Sequence, residues 1–275
     1  MRISLSVIAA VAARELRVAA RYPVSVANLL VLVPLYQLVL PALLLGAAFL
    51  VAGRAIGLAG LTGTTDLAGW LTIGMAFSPL IVGVTWGVAN AIETDRELGT
   101  IEHSWAAPVS RDSLLLGSMT SSTLLAAVAA LIMVAMGWLI FGASYGTGLL
   151  LIPLAAALAL PGVAGLGYLV AALVLRWRHA GEVVDGLGYV LAMLAGIAFP
   201  VSVLPSALQA VAYALPATWA IDFSRAAALG ATPIQPVPVE IGLLAVTSAA
   251  WLLAGRWQFL RVERRLLADG TLGQH

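Results

Sequence analysis

Six apolar runs dominate the sequence, and short polar segments separate them. The runs lie near residues 27–51, 67–92, 113–141, 147–175, 183–204 and 239–257. Each run approaches or exceeds the roughly 20 residues that an α-helix needs to cross about 30 Å of hydrocarbon. Transmembrane β-strands would alternate in polarity over about 10 residues, and these runs do not alternate. The pattern therefore predicts an all-α membrane protein with six transmembrane helices.

Composition supports this interpretation. The chain is 61% hydrophobic and 10% charged, whereas about a quarter of the residues in a soluble domain are charged. It contains no cysteine, which excludes a disulfide framework and a thiolate metal site. No polar domain interrupts the runs, so we interpret residues 1–275 as a single transmembrane domain.

The distribution of arginines predicts the orientation of the spans. All 14 basic residues are arginines. If the N-terminus is cytoplasmic, twelve of them face the cytoplasm and only Arg54 and Arg225 face outward. Because cationic loops are retained on the cytoplasmic side, we expect both termini to be cytoplasmic.

Residues 1–24 predict an amphipathic helix that precedes the first span. Its arginines lie on one helical face and small apolar residues lie on the opposite face. The arginine face contains Arg14, Arg17 and Arg21, and the apolar face contains Leu5, Ala9, Ala12 and Leu16. Such a helix can lie in the membrane interface with its arginines toward the lipid headgroups.

A proline-rich outer segment, residues 199–238, follows the fifth run. Pro200, Pro205 and Pro216 break it into pieces that are too short to cross a membrane. We predict two short re-entrant helices on the outer side, at roughly 205–214 and 217–229. The spacing of Asp222 and Arg225 lets the two side chains neutralise each other on one helical face, most simply as a surface ion pair.

Polar residues inside the runs are few, and they include Gln37 and Asn90. Tyr36, Gln37 and Asn90 are candidates for a substrate path, because polar groups in lipid turn toward protein or water. A hydrogen bond between helices is the alternative. Three glycines of the fourth run predict close helix packing; they are Gly162, Gly165 and Gly167.

The most unusual stretch is "ETDRELGTIEHSWAAPVSR", residues 93–111, between the second and third runs. A minimal connection needs only a handful of residues, and the four acidic residues of this one contribute little to topology. Pro108 ends a helix, and Ser110 can cap the helix that opens the third span. We therefore predict a short helix across the cytoplasmic face, with a solvated loop as the alternative.

This stretch resembles the signature of ABC-2-type membrane proteins, the transmembrane subunits of ATP-binding cassette exporters, and most of all the drug-resistance permeases related to the daunorubicin exporter. The outer segment is similar to the segment that the family has between spans five and six; its candidate residues are Pro216, Trp219, Asp222 and Arg225. The resemblance implies that residues 93–111 form the coupling helix that docks into the ATPase. The implied coupling positions are Glu93, Glu97, Gly99, Thr100, Glu102, Pro108 and Arg111.

The resemblance implies a permease subunit in the bacterial plasma membrane, working as a dimer of permeases with a separate nucleotide-binding ATPase. The chain has no lysine, which a Walker-type phosphate-binding loop requires. We therefore expect no catalytic residue, metal or cofactor in this chain, with ATP and Mg²⁺ bound by the partner subunit.

The expected substrate is a hydrophobic drug, a lipid or a lipid-linked molecule, because the spans carry no fixed charge at their centres. It would move out of the cytoplasm or the inner leaflet. Polysaccharide export by a related permease stays an alternative. An ion-coupled secondary transporter is a weaker alternative, because such transporters carry internal repeats and buried acidic groups.

Overall fold

The computed structural model describes residues 3–51, 54–97, 99, 109–177 and 180–269, and they are mostly helical. In chain order the helices are α1 (Leu5–Ala20), α2 (Pro23–Ala27), α3 (Val33–Phe49), α4 (Ile56–Thr62), α5 (Leu67–Ala76), α6 (Ser78–Glu97), α7 (Arg111–Leu139), α8 (Ile152–Arg176), α9 (Ala180–Leu194), α10 (Ser206–Ala214), α11 (Pro216–Leu229) and α12 (Val237–Asp269). A π-helical turn, Asn28–Leu32, joins α2 to α3, and 3-10 turns occupy Thr147–Leu151 and Val201–Val203. Two-residue strands, β1 (Leu50–Val51) and β2 (Arg54–Ala55), pair in antiparallel register with Leu50 opposite Ala55.

Within these residues, five helical segments are long and apolar enough to cross a membrane. They are Pro23–Pro41, Leu67–Glu97, Arg111–Leu139, Thr147–Arg176 and Val237–Leu266. They correspond to five of the six predicted spans, the exception being the span near residues 183–204. The chain is therefore an α-helical protein with at least five membrane-spanning candidates.

The exception is shorter than the sequence pattern predicts. Helix α9 has 15 residues, which extend about 22 Å, and it ends at Leu194 before the predicted end at residue 204. Gly196 then adopts a left-handed conformation, with φ of +80°, that other residues rarely adopt. A continuous apolar run hid this turn, because hydrophobicity alone does not mark where a helix stops.

The second predicted span consists of two helices. Helix α5 ends at Ala76 and α6 begins at Ser78, so that Phe77 forms a turn between them. Pro79 lies in the first turn of α6, where its missing N–H breaks no helical hydrogen bond. Helix α6 also continues to Glu97, five residues beyond the predicted end of this span.

The two short helices that the sequence predicts after the fifth run lie where the prolines place them. Helix α10 begins after Pro205, and α11 begins at Pro216, the position where a proline at a helix start is favourable. Gly230 ends α11 with φ of +65°, which is a common way for a helix to terminate. Their bounds agree with the predicted ranges to within one residue.

Helices α8 and α12 pack closely along one another at glycines. A methyl group on Gly165 would overlap the carbonyl oxygen of Trp251, and one on Gly255 would overlap that of Gly165. A side chain on Gly162 would meet Pro216 of α11. The predicted role of the fourth-run glycines in helix packing is therefore confirmed for Gly162 and Gly165.

Helix α1 packs along the first three turns of α7. The backbone N–H of Ser4 donates to the Ser113 hydroxyl at 2.9 Å, and the Ser121 hydroxyl donates to the Glu15 carboxylate. Between these contacts, Gly117 lets the two helices approach closely. The face of α1 that packs on protein is thus set by α7.

This packing changes one part of the prediction for α1. The arginine face is exposed as expected, at Arg14, Arg17 and Arg21. The apolar face is only partly as predicted, because Ala12 is buried while Leu5 is 81% exposed. Helical periodicity identified the amphipathic character of α1 but not which side contacts a neighbouring helix.

Candidate functional site

The charged stretch at residues 93–111 begins on the last turns of α6. Glu93 is half-buried, Glu97 is exposed, and Gly99 has φ of +65°. The predicted positions Thr100, Glu102 and Pro108 lie outside the described residues, and the described start of the predicted coupling region, residues 93–97, continues α6. One end of the bundle contains the end of α6 and the start of α7, and we call it the arginine-rich end. The other end contains α10 and α11, and we call it the opposite end.

Arg96 fixes the end of α6 to the end of α8. Its Nη2 donates to the carbonyl oxygens of Val174 at 3.0 Å and Leu175 at 3.3 Å. These carbonyls belong to the last turn of α8, which lacks helical N–H partners, and an arginine is a favourable partner there. These two hydrogen bonds hold the end of α6 against the end of α8.

The start of α7 is fixed in a similar way. Ser110 caps it, because its hydroxyl accepts from the backbone N–H of Ser113 at 3.3 Å, which confirms the predicted cap. The Nε of Arg111 lies 3.1 Å from Oε1 of Glu263 on α12. The side chain of Glu263 is 8% exposed and that of Arg111 is 28% exposed, so water reaches this ion pair only from the arginine side.

A second ion pair joins α7 to the same helix. Asp112 accepts from Nη2 of Arg256 at 2.8 Å and from the Tyr168 hydroxyl of α8 at 3.1 Å. The arrangement links three helices through one carboxylate. Sequence reasoning missed Arg256, Tyr168 and Glu263, since their partners are more than 50 positions away and no local pattern marks them.

Helix α1 borders this region. A small cavity of about 80 Å³ separates α1, α6 and α7, and its lining includes Arg14, Glu15, Asp95 and Arg111. Arg14 thus lies beside the charged stretch, whereas Arg17 donates to the carbonyl of Ala13 in its own helix. The structure brings together one of the three predicted interface arginines and the predicted coupling position Arg111.

A larger cavity of about 390 Å³ lies between the first, second and third spans and α9. Two of the predicted substrate-path residues, Tyr36 and Gln37, line it, together with Trp86 and Tyr189. The Gln37 side-chain oxygen is buried and has no hydrogen-bond partner among the described residues. Asn90, the third predicted residue, is exposed one helical turn beyond Trp86 and is not among the residues that line this cavity.

The opposite end contains a buried arginine. Arg225 is 3% exposed, and its guanidinium donates to the carbonyl oxygens of Trp70 at 3.2 Å, Gly196 at 2.7 Å and Ile197 at 2.6 Å. The same group lies 3.8 Å from the centre of the Trp70 ring, a favourable cation–π geometry. Burial lowers the pKa of Arg225, and the nearby charge of Asp222 partly opposes that shift.

The predicted surface ion pair of Asp222 and Arg225 is therefore wrong. Asp222 is 9% exposed and accepts from the backbone N–H of Ile234 at 2.7 Å. The fully buried Glu240 accepts from the N–H of Gln235 at 3.1 Å. Both carboxylates thus hold the loop between α11 and α12, because α11 is covered by neighbouring elements rather than by solvent.

The other two outer-segment candidates also have structural contacts. Pro216 is the buried first residue of α11. Trp219 is buried and donates its indole N–H to the carbonyl oxygen of Tyr213 at 2.9 Å. Its ring also stacks on the Tyr213 ring, with centroids 5.6 Å apart. These contacts between Trp219 and Tyr213 connect α11 to α10.

A family model described as ABC-2 type transporter matches residues 7–229. The chain belongs to the ABC-2 type transporter family. The match extends from α1 to the end of α11, so that this ABC-2 chain carries both the charged stretch and the outer helices within the region that the family shares.

Curated relatives agree with this assignment. The ABC-2 chain is 26% identical over 195 residues to the probable multidrug ABC transporter permease YbhS of Escherichia coli strain K12, and equally to that of Escherichia coli O157:H7. The aligned region is 70% of this chain and 48% of each relative. The chain spans about half the length of the curated relatives it matches.

Proposed function

We propose that this chain is the permease subunit of an ATP-driven exporter and that residues 93–111 are its contact with a separate nucleotide-binding subunit. One observation carries the proposal: both described ends of the charged stretch are tied to other spans. Arg96 connects it to α8, and Arg111 connects it to α12. A solvated loop would need neither anchor, whereas a coupling element must transmit force.

The anchors suggest how ATP binding moves the permease. Closure of two ATPase subunits, which hold the ATP and Mg²⁺, pushes on residues 93–111. The push passes to α8 and α12 through the arginine contacts and tilts the first two spans against α9, which opens the path outward. The exposed Glu97 is available for direct contact with the ATPase, and Glu93, Gly99, Thr100, Glu102 and Pro108 complete the proposed coupling positions.

The substrate we propose is a hydrophobic drug, a lipid or a lipid-linked molecule. The cavity beside Tyr36 is lined mainly by apolar and aromatic residues, which is typical of sites for hydrophobic ligands. The side-chain oxygen of Gln37 has no hydrogen-bond partner among the described residues, so it offers a substrate one hydrogen-bond acceptor. The relatives named as probable multidrug permeases are consistent with this class of substrate.

An ion-coupled secondary transporter would use buried acidic groups, and Asp222 and Glu240 are buried. These carboxylates accept hydrogen bonds from the backbone of one loop, which favours a structural role. We therefore retain ATP-driven export, in which the purified chain alone hydrolyses no ATP.

We also propose six spans, with α9 as the fifth, re-entrant α10 and α11 on the outer side, both termini in the cytoplasm, and two permease copies in the bacterial plasma membrane. The chain has no native cysteine, so single cysteines at Thr65, Glu102 and Gln235 can be labelled with an impermeant reagent in intact cells. Labelling from outside is expected at Thr65 and Gln235, which are both exposed. Labelling of Glu102→Cys from outside would overturn the orientation.

The decisive experiment is reconstitution of the chain with its ATPase in proteoliposomes. Hydrophobic candidate substrates are expected to stimulate ATP hydrolysis, and Glu97→Ala or Glu102→Ala is expected to abolish the stimulation while leaving insertion intact. Turnover of ATP by the isolated chain, free of contaminating ATPase, would contradict the proposal. Wild-type transport by both variants would contradict the coupling assignment alone.

A further inference from the structure

An elongated groove between α8, α9 and α12 is separate from the cavity that contains Tyr36. Its volume is about 370 Å³. Apolar side chains such as Leu166, Leu173, Leu187 and Val262 line most of it. The groove thus offers an apolar surface inside the helical bundle that the proposed transport function does not use.

Its dimensions follow from the helices that form it. Along α8 the lining extends from Leu166 to Arg176, ten residues or about 15 Å at 1.5 Å per residue. Along α12 it extends from Trp251 to Val262, about 16 Å. Because Gly165 of α8 contacts Trp251 of α12, Leu166 and Trp251 lie at the same end of the groove. The two walls therefore begin and end together. The space is long, narrow and parallel to the membrane normal, as an acyl chain is.

Polar groups are concentrated at one end of the groove. Arg176, an exposed residue in the last turn of α8, lines the mouth, and Trp177 beside it is 53% exposed. Gln258 lies one turn of α12 before Val262, so its amide is about one turn farther into the groove than Arg176. Tryptophan and arginine at a span end are typical of the membrane–water interface, so the mouth is at headgroup depth.

We propose that this groove binds one anionic phospholipid, with an acyl chain between α8, α9 and α12 and the headgroup phosphate on Arg176. Charge complementarity selects the occupant, since an arginine pairs strongly with phosphate and anionic lipids are enriched in the cytoplasmic leaflet that the arginine-rich end is predicted to face. A zwitterionic lipid fills the groove equally well but lacks a net negative charge for the arginine. The lipid would brace α9, which at 15 residues is shorter than each of the five candidate membrane spans, against its neighbours.

Native mass spectrometry of the purified full chain tests the proposal. Phosphatidylglycerol and phosphatidylcholine are added at equal concentrations, and the retained lipid is counted. Wild type is expected to retain one phosphatidylglycerol with about tenfold preference, and Arg176→Gln to lose that preference. The matched control is Arg265→Gln, because Arg265 is exposed near the end of α12 and is not among the groove residues.

A second variant tests the groove rather than the charge. Leu173→Trp fills the apolar space and is expected to abolish retention of both lipids, while a thermal unfolding scan confirms that the variant is folded. Equal retention by wild type and Arg176→Gln, or undiminished retention by Leu173→Trp, would overturn the proposal. Displacement of the lipid by inorganic phosphate would identify a simple phosphate site, and a lipid-free dimer that Leu173→Trp dissociates would identify a second permease copy as the occupant. Either result would also overturn it.

Discussion

The two ends of the molecule use arginines in opposite ways. At the opposite end, Arg225 is 3% exposed and donates to three backbone carbonyls. At the arginine-rich end, the side chains of Arg111 and Arg256 are 28% and 46% exposed, and each pairs with a carboxylate on another helix. An arginine that is buried against backbone carbonyls cannot change partners easily. An arginine that is partly exposed and paired with a carboxylate can.

The difference indicates which end is suited to move. A buried guanidinium that satisfies three carbonyls joins α5, the turn after α9, and α11 into one unit. Water reaches the ion pairs at the arginine-rich end from the arginine side, while their carboxylates are 8% and 12% exposed, so these pairs hold their helices less firmly than the fully buried guanidinium does. We therefore expect the opposite end to move as a rigid cap and the arginine-rich end to rearrange when a partner binds.

The largest effect is expected from Arg225→Ala. It leaves three buried carbonyls without donors and Asp222 without its neighbouring charge, which costs about 3–5 kcal/mol of stability. The melting temperature in detergent should fall by about 6–20 °C, at roughly 2–4 °C per kcal/mol. Arg265→Ala, at an exposed position, is the control. A loss of less than about 1 kcal/mol would show that the cap is not held by Arg225.

A smaller loss of stability is expected from a change in the packing of α8 against α12. In Gly165→Ala the added methyl group overlaps the carbonyl oxygen of Trp251, so α8 and α12 must separate, at a cost of about 1–3 kcal/mol. Gly242→Ala is the matched control, because the space around Gly242 on α12 is open and alanine favours a helix. Equal melting temperatures for the two variants would contradict the close packing.

Local patterns in the sequence predict the elements whose causes are also local. Proline positions place α10 and α11, and Ser110 identifies the start of α7, because these effects act within one helical turn. The burial of Arg225 and Glu240 could not be predicted, since it depends on segments up to 155 positions away. The orientation of α1 was missed for the same reason, because α7 determines it, whereas the early end of α9 at the left-handed Gly196 was hidden by a continuous apolar run.

At the arginine-rich end, Tyr168→Phe should have a modest effect. It removes one hydrogen bond to Asp112 and leaves the Arg256 pair intact, so the expected loss is about 1 kcal/mol. A double-mutant cycle with Asp112→Ala, which removes the acceptor, followed by thermal unfolding, measures the coupling between the two residues. A coupling energy near zero would mean that the carboxylate does not link α8 to α7.

The smallest effect on stability, and a large effect on function, is expected from Glu97→Ala. Glu97 is exposed on the last turn of α6, so the substitution should change the free energy of unfolding by no more than about 0.5 kcal/mol. If the arginine-rich end rearranges on contact with the ATPase, the lost carboxylate should nevertheless abolish substrate-stimulated ATP hydrolysis in proteoliposomes. Thr120→Ala, at an exposed position on α7, controls for surface changes as such, and Glu97→Asp should restore part of the stimulation because it restores the charge. If the Glu97→Ala variant is stable and its ATP hydrolysis is stimulated as in wild type, the ATPase contact lies on other residues of the stretch. The contrast between a fixed end and a responsive end would then rest on stability alone.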